Sequence, residues 1–330
     1  MSSRYNKQLI LSEFGIENQD KIKNIKVLII GIGGIGCPVV TYLSSMGFEN
    51  IGIVDHDIVE LSNLHRQFIY KEGDIGLLKV DCAEKFCKKR NSNVKIIKYA
   101  DKLTNKNTID LLLDYDIIVD CTDNIFTRYT VNDACVLLGK AYIFGSAIET
   151  SGQIGIFNYM GSPCLRCIYP QVAQNTCETT GVLGVIPGII GDLLALEIVK
   201  LVCNFDGLLV NKLLTYDLYH GFNTINISKK NDKCLVCSNN SNNNAITISN
   251  YANLDIYHPS CVIKNDCLFK CSSNESIYIE ANSCINDLYE KYINQNNTIK
   301  LVFDCEKKII SKLLVHKLRQ NGHNNSWILE

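Results

Sequence analysis

The sequence predicts an α/β fold in which parallel strands form a sheet that antiparallel strands complete, followed by a small α/β C-terminal domain. Three observations predict it. An apolar run leads directly into a glycine-rich turn at residues 27–36. Apolar strands and helical segments then alternate as far as residue 144. Short alternating strands follow from Gly152, which is typical of a mixed sheet.

The glycine-rich turn predicts a nucleotide site. The apolar strand Val27–Ile30 precedes the run GIGGIG at Gly31–Gly36, whose glycines permit a tight turn and close approach to a phosphate. A helix starting at residues 37–38 would direct free N–H groups at that phosphate. A second strand, Ile51–Val54, leads to Asp55, which is placed to bind a ribose hydroxyl. The pattern indicates a Rossmann-like fold, with a turn that binds no ligand as the alternative. The nucleotide site comprises Gly31, Gly33, Gly34, Gly36 and Asp55.

The remaining elements follow from hydrophobic spacing. It predicts helices at Arg4–Leu11, Lys79–Lys89 and Phe126–Leu138. Apolar or alternating runs predict strands at Val94–Tyr99, Asp116–Asp120, Ala141–Phe144, Gln153–Tyr159, Leu213–Asp217 and Thr224–Ile227. The polar segment Leu61–Phe68 is predicted to be a loop. Cys121–Asn124 follows a buried strand, at the carboxyl end where open α/β sheets bind ligands.

Composition and charge exclude several classes of partner. The chain has 330 residues, 33 basic and 34 acidic, with a net charge of -1, which predicts no nucleic-acid or membrane-surface binding. Residues 1–8 lack the apolar core of a signal peptide, so we expect a cytoplasmic protein. The apolar stretch 181–202 contains Pro187, Asp192 and Glu197. These residues favour a loop followed by a buried helix over a membrane span.

Two Cys-x-x-Cys pairs stand out among sixteen cysteines. Each pair offers two thiolates on one turn, and four thiolates form a closed tetrahedral Zn²⁺ site. The pairs are far apart in sequence, so the metal would join two distant loops. A closed site has no position for substrate, which makes the role structural. The alternative is ordinary thiols in a cysteine-rich chain. The predicted ligands are Cys164, Cys167, Cys234 and Cys237.

The chain contains, in this order, the motifs Arg4–Gln8, Gly31–Gly36, Asp55–Asp57, Leu61–Gln67, Lys79, Asp120–Asn124 and the two cysteine pairs. Together they resemble the motifs of MoeB and ThiF, adenylating enzymes related to ubiquitin-activating enzymes, from residue 4 to about residue 238. The chain is similar in particular to the eukaryotic adenylyltransferase-and-sulfurtransferase proteins, which append a rhodanese-like domain and activate sulfur carriers ending in Gly-Gly. Family members are homodimers that use ATP, so the resemblance implies both here.

The resemblance implies ATP-dependent adenylation of the carrier's C-terminal glycine. Arg66 would be the forked phosphate donor, Lys79 a point charge, and Asp123 the ligand of Mg²⁺. Considered singly, the two cations would be solvated surface charges and Asp123 a helix N-cap. Lys7 stands where the family commonly has an arginine that reaches the partner subunit's ATP site, and it lacks the bidentate fork. The implied nucleotide contacts are Lys7, Gly34, Asp55, Ser62, Asn63, Leu64, His65, Arg66, Lys79, Asp123 and Asn124.

The sulfur chemistry is assigned to two cysteines. Asn175–Gly181 matches the family's crossover segment, where the resemblance implies that Cys177 attacks the activated carrier or its acyl persulfide. We expect an adenylation domain at 1–238, an Asn/Ser linker at 239–245 and a degenerate or truncated rhodanese-like domain at 246–330. There Cys305 would carry a persulfide, supplied for instance by a cysteine desulfurase. The loop after Cys305 lacks the usual glycine and arginine, so a domain kept for packing or partner binding is the alternative.

Three other functions stay open at this level. A modifier-activating enzyme would pass a ubiquitin-like protein on as a thioester rather than form a thiocarboxylate. An NAD-dependent dehydrogenase is permitted by the strand–glycine–acid pattern and would bind NADH without ATP. A non-catalytic zinc-stabilised scaffold would bind carriers without activity. The sequence also leaves open whether a thiocarboxylate would serve tRNA thiolation, molybdopterin synthesis or both.

Overall fold

A computed structural model describes residues 4–104, 106–170, 181–227, 229–234 and 236–238, and the backbone of four short strands beyond them. The helices are α1 (Asn6–Leu9), α2 (Gly15–Asn24), α3 (Gly36–Met46), α4 (Lys79–Arg90), α5 (Thr108–Leu113), α6 (Ile125–Leu138), α7 (Leu165–Ile168) and α8 (Val185–Cys203). The strands of the main sheet are β1 (Lys26–Ile30), β2 (Asn50–Val54), β3 (Lys95–Tyr99), β4 (Ile117–Asp120), β5 (Tyr142–Ile148), β6 (Ser151–Phe157), β7 (Lys212–Asp217) and β8 (Gly221–Asn226).

The main sheet has the strand order β3-β2-β1-β4-β5-β6-β7-β8. The first five strands in that order are parallel, and β6, β7 and β8 follow with antiparallel pairing. The predicted mixed sheet is therefore confirmed. The order reverses between β1 and β4, and such a reversal opens a crevice at the carboxyl ends of the strands.

Helices cover both faces of the central strands. Successive strand side chains point to opposite faces, so Val27 and Ile29 of β1 pack in the cluster that includes α3 and α8. Leu28 and Ile30 pack on the other face, with side chains of α5 and α6. These four apolar residues of β1, from Val27 to Ile30, are at most 2% exposed. Because both faces are apolar, β1 is a continuous hydrophobic run rather than an alternating one.

The N-terminal region differs from the prediction. Arg4–Leu11 was expected to be one helix, but α1 is a single turn and α2 follows it. The buried side of α2 carries Asn18 and Gln19 beside Ile22, so few apolar residues mark its buried face. Gln19 is held by hydrogen bonds instead, donating to the Met46 carbonyl at 3.1 Å. Hydrophobic periodicity does not detect buried polar residues, which pack through hydrogen bonds.

Strand pairing shifts the bounds of two predicted strands, β5 and β8, whereas a predicted helix lies where it was expected. β5 continues beyond Phe144 to Ile148, since β6 pairs with it antiparallel along its full length. β8 begins at Gly221, three residues before the predicted start, because its hairpin with β7 closes there. The stretch 181–202 contains α8 after a short loop, as predicted. Within the described residues, no helix is long and apolar enough to cross a membrane.

The C-terminal strands form a second sheet. Its members are β9 (Cys267–Cys271), β10 (Ser276–Tyr278), β11 (Leu301–Cys305) and β12 (Ser326–Ile328), in the order β10-β9-β11-β12. β11 ends at Cys305 and runs parallel to β12. The predicted linker 239–245 lies outside the described residues, so the rhodanese-like domain and the domain boundaries stay predictions.

Candidate active site

A cavity of about 550 Å³ opens at the carboxyl ends of β1, β2 and β4, beside the reversal in strand order. It contains most of the predicted nucleotide residues, which five separate chain segments supply. Cations and carboxylates therefore share one concave surface with a glycine turn. The predicted residues that line it are Gly31, Gly33, Gly34, Asp55, Asn63, Arg66, Lys79, Asp123 and Asn124.

The glycine turn forms the floor of the cavity. Gly31 has a φ of +85°, a conformation that side chains disfavour. A Cβ on Gly36 would lie 2.1 Å from the Gly31 carbonyl oxygen, so α3 starts in direct contact with the turn. Gly36 does not line the cavity; its role is this close packing. The N-terminus of α3 therefore lies beside the cavity, and the unpaired N–H groups at a helix N-terminus favour the binding of an anion.

Asp55 ties the glycine turn to the end of β2. Its carboxylate accepts hydrogen bonds from the Ile32 N–H at 2.7 Å and the Asp57 N–H at 2.9 Å. Burial raises the pKa of Asp55, while the charge of Lys79 and the two N–H groups oppose that rise. Each oxygen retains a free lone pair for a further donor. Asp55 is therefore a rigid acceptor on the cavity wall.

Lys79 is a buried cation paired with a carboxylate that the sequence interpretation missed. Its ammonium lies 2.8 Å from Asp57 Oδ2, with the lysine side chain 6% and the aspartate 53% exposed. Partial burial would raise the pKa of Asp57, but the hydrogen bond and charge of Lys79 outweigh it, and the pKa is lowered. The pair holds the ammonium in place at the start of α4.

The loop 61–67 positions Arg66. Its guanidinium donates to the Ser62 carbonyl at 3.0 Å and contacts His65 Nε2 at 2.7 Å. Asn63 accepts from the Glu60 N–H at 3.3 Å, which closes the turn. Ser62 and His65 are exposed and Leu64 packs against the core, and none of the three lines the cavity. They shape the loop rather than face the cavity.

The segment after β4 carries the predicted magnesium ligand. Asp120 is fully buried, which raises its pKa, and it accepts from the Thr122 N–H at 2.8 Å and the Tyr142 hydroxyl at 2.5 Å. Asn124 caps α6 by accepting from the N–H groups of residues 126 and 127. Asp123 is thus not the helix cap, and its exposed carboxylate lines the cavity.

Several cavity residues were missed because the motifs assign them no role. Arg128 donates to the Thr122 carbonyl through Nε at 3.1 Å, and its guanidinium lies 5.1 Å from the centre of the Phe144 ring. It follows Asn124 by one helical turn, so i,i+4 spacing from the cap could have identified it. No such signal marks the others, which are Asp57, Gln67, Asp101, Lys102, Leu103, Thr122 and Thr127.

Three further predicted residues lie apart from this cavity or outside the described chain. Lys7 is exposed on α1 and does not line the cavity. Cys177 lies outside the described residues, four positions before Gly181, which does line the cavity. The Gly181 carbonyl accepts from the Glu149 N–H at 2.9 Å, so the chain is anchored there. Cys305 is the last residue of β11.

The four predicted metal-ligating cysteines lie together. Their sulfur atoms all lie within 4.8 Å of one another, with separations of 3.3 Å for Cys167–Cys237, 3.6 Å for Cys164–Cys234 and 4.0 Å for Cys164–Cys167. Tetrahedral Zn–S bonds of about 2.3 Å place sulfurs roughly 3.8 Å apart. The donor set and spacing therefore fit Zn²⁺.

The cysteine cluster is anchored to α6. Arg166, between the first two cysteines, forms a buried bidentate pair with Asp133, with both contacts at 2.7 Å. The Leu165 N–H donates to Asn132 Oδ1 at 2.8 Å. α6 also carries Asn124 and Arg128 at its other end. One helix thus connects the cluster to the cavity.

The sequence is similar to proteins of known activity. The protein named adenylyltransferase and sulfurtransferase MOCS3 is 43% identical in Anopheles gambiae over 241 residues, covering 72% of this chain and 55% of the relative. Its counterparts in Arabidopsis thaliana and Dictyostelium discoideum are 41% and 44% identical, covering 75% and 71% of this chain. The chain spans 54% to 56% of the length of these relatives.

Solved structures share the fold. The crystal structure of E. coli MccB with ATP has a TM-score of 0.63 and 25% identity, covering 72% of this chain and 74% of that one. MccB alone has a TM-score of 0.64 at 24% identity, with 72% of each chain covered. Residues 5–236 match the ThiF family, which is well over half of the sequence. The chain therefore belongs to the ThiF family.

Proposed function

We propose that the protein uses ATP to adenylate the C-terminal glycine of a ubiquitin-like sulfur carrier. The observation that carries the proposal is the cavity at the strand reversal, where a glycine turn faces Arg66, Lys79 and Arg128 together with the carboxylate of Asp123. Fixed cations beside N–H donors suit a triphosphate. The names of the MOCS3 relatives and the ATP bound to MccB support the same assignment.

The reaction needs positioning and charge rather than a protein nucleophile. A carboxylate oxygen of the carrier's terminal glycine attacks the α-phosphorus of ATP. The bond from that phosphorus to the bridging oxygen of the β-phosphate breaks, and pyrophosphate leaves with the electron pair. Negative charge on the phosphate oxygens is stabilised by Arg66, Lys79 and Arg128. Asp55 would hold the ribose, and Ser62, Asn63, Leu64, His65 and Asn124 would shape its surroundings.

Asp123 would hold Mg²⁺. Its exposed carboxylate lines the cavity without serving as a helix cap, and oxygen ligands shared with substrate phosphates are what this ion prefers. When bound, the ion supplies neutralisation of phosphate charge.

Sulfur transfer would follow at Cys177, whose thiolate attacks the acyl carbon of the adenylate while AMP leaves. Gly181 supports this proposal, because it lines the cavity and stands four positions after Cys177 in the sequence. We further propose that residues 246–330 form a rhodanese-like domain after the linker 239–245, with Cys305 receiving sulfur from a cysteine desulfurase. The outer sulfur of the Cys305 persulfide would attack the thioester carbon, and the Cys177 thiolate would leave. That thiolate would then attack the sulfur bonded to Cys305, which releases the carrier thiocarboxylate and leaves a Cys177–Cys305 disulfide for a thiol reductant to reduce. The thiocarboxylate would serve tRNA thiolation, molybdopterin synthesis or both.

We propose a homodimer in which Lys7 reaches the ATP site of the other subunit. α8 supports this: Val185 and Leu196 lie on one helical face and are 58% and 50% exposed. The cysteine cluster would hold a structural Zn²⁺ and take no part in the reaction. All ten cysteines with described side chains are free, which fits a reducing compartment such as the cytoplasm.

The proposed function is tested by ATP–pyrophosphate exchange. Zinc-loaded protein is mixed with radiolabelled pyrophosphate, ATP, Mg²⁺ and candidate carriers ending in Gly-Gly. We expect exchange that depends on the carrier and is lost when its terminal glycine is removed. Absence of exchange with every such carrier refutes the proposal, and tight NADH binding without ATP binding would support a dehydrogenase instead. Mass spectrometry of the carrier separates the two remaining functions. Formation of a thiocarboxylate that depends on sulfide indicates sulfur transfer, whereas its absence indicates that the carrier is passed on as a thioester.

A further inference from the structure

Gln67 is a buried residue of the cavity wall to which the sequence motifs assign no role. Its side chain is 3% exposed, and its Oε1 has no hydrogen-bond partner within the described protein. A buried amide oxygen without a donor destabilises a fold, because it has lost its hydrogen bonds to water. Such an atom is retained where a donor arrives from outside the chain, and the question is which ligand supplies it.

The position of Gln67 points to the nucleotide. The residue lines the same cavity as Arg66 and Asp55, and its Nε2 lies 3.7 Å from the point that a Cβ on Gly33 would occupy. Its backbone is fixed, because its N–H donates to the Asn63 carbonyl at 3.0 Å and its carbonyl accepts from the Tyr70 N–H at 3.1 Å. These backbone hydrogen bonds hold Gln67 at the cavity wall before any ligand binds.

Gln19 shows how this fold treats a buried glutamine elsewhere. It is 6% exposed, and it does not line the cavity. Its Oε1 accepts from Gln8 Nε2 at 2.5 Å, and its Nε2 donates to the Met46 carbonyl at 3.1 Å. Both ends of that amide are paired inside the protein, as is usual for buried polar groups. Gln67 departs from this pattern at the cavity wall.

We propose that Gln67 contacts the nucleotide, with Oε1 accepting a hydrogen bond from an O–H donor of the bound ATP–magnesium complex. Phosphate oxygens only accept, so the donor is a ribose hydroxyl or a water molecule on Mg²⁺. This inference rests on the proposed ATP site. It assigns to the loop 61–67 a second side chain directed at the nucleotide, beside the cation of Arg66.

The test compares Gln67→Met with the matched control Gln19→Met in the full chain. Calorimetry with ATP and Mg²⁺ gives the Kd, and thermal unfolding without nucleotide gives the Tm. Methionine keeps the length of the side chain without a polar group. Gln67→Met is expected to raise the Kd about tenfold and to leave the Tm equal or higher. Gln19→Met is expected to lower the Tm and leave the Kd unchanged.

Three probes identify the donor: 2′-deoxyATP and 3′-deoxyATP with Mg²⁺, and ATP with EDTA. Removing the donor that Gln67 contacts should raise the Kd of the wild type, but it should not raise the Kd of Gln67→Met any further. An unchanged Kd in Gln67→Met overturns the inference. The inference is also overturned if the Kd of Gln67→Met stays tenfold above that of the wild type with each of the three probes. A Tm of Gln67→Met that falls as far as that of Gln19→Met overturns it as well. If the wild type binds no ATP at all, the proposed function itself fails.

Discussion

The cavity and the cysteine cluster hold their functional side chains in opposite ways. In the cavity, Asp123 is exposed, Arg66 is half-buried and Lys79 is buried with a single carboxylate partner. In the cluster, Cys164, Cys234 and Cys237 are buried and every sulfur faces another sulfur. A site for a ligand that enters and leaves keeps charges accessible, whereas a closed set of thiolates suits a permanent structural ion.

The two regions meet in α6. Its first turn, at Asn124 and Arg128, borders the cavity, and its later turns carry Asn132 and Asp133, which hold the loop of the first cysteine pair. Within the described residues, α6 therefore connects the cluster to the cavity. Variants of the cluster should therefore change stability, and variants of the cavity should change activity.

The largest expected effect is loss of the metal site. Cys234→Ser should remove bound zinc and lower the Tm by about 10 °C or more, because structural zinc contributes folding free energy directly. Metal content by mass spectrometry and thermal unfolding measure the two quantities. Cys203→Ser, at a buried cysteine outside the cluster, is the control and should retain the metal. A zinc-free Cys234→Ser with a wild-type Tm would contradict a structural role.

Next comes the buried ion pair that joins the cluster to α6. Asp133→Asn should destabilise the protein by about 3–5 kcal/mol, because it leaves the Arg166 charge buried without its carboxylate. Urea denaturation measures the change. The double variant Asp133→Leu with Arg166→Met removes both charges and should recover most of the loss. If the double variant is as unstable as the single one, the pair is not what connects the two regions.

Arg66→Ala tests the cavity. It should slow ATP–pyrophosphate exchange by about 10²–10³-fold, the usual effect of removing one donor to developing charge. The Tm should stay within about 2 °C of wild type, because the half-buried side chain makes few packing contacts. Arg66→Lys keeps the charge without the fork and should recover part of the rate. Equal exchange in all three proteins would exclude Arg66 from the phosphate site.

The smallest effect concerns pH and the Asp57–Lys79 pair. The lowered pKa of Asp57 means that its contribution to stability is complete above the unfolded pKa of about 3.9 and is lost as the pH falls towards the folded pKa. Asp57→Asn should therefore be slightly less stable than wild type at pH 6, and the difference should shrink by pH 3.5. Urea midpoints at both values measure it. A difference that grows on acidification would reverse the assigned sign.

Prediction from sequence was reliable where one chain segment carries its own signal. The bounds of α4 and α6 differ from the predicted ones by one residue, because their apolar faces recur at helical spacing. α2 was missed because its buried face includes Asn18 and Gln19, which pack through hydrogen bonds. The same limit applied in the cavity, where Gln67 is polar and buried and the motif that contains it gives its side chain no role.

The sequence by itself determined the glycine turn between strand and helix, the order of the sheet's parallel and antiparallel parts, and which residue types are available for phosphate and metal. Those properties depend on neighbours within a few residues. Only the tertiary structure decided that Asp57 pairs with Lys79 across 22 positions and that Asp133 supports Arg166 across 33. Such pairs depend on distances across the folded sheet, which local propensity and periodicity do not contain.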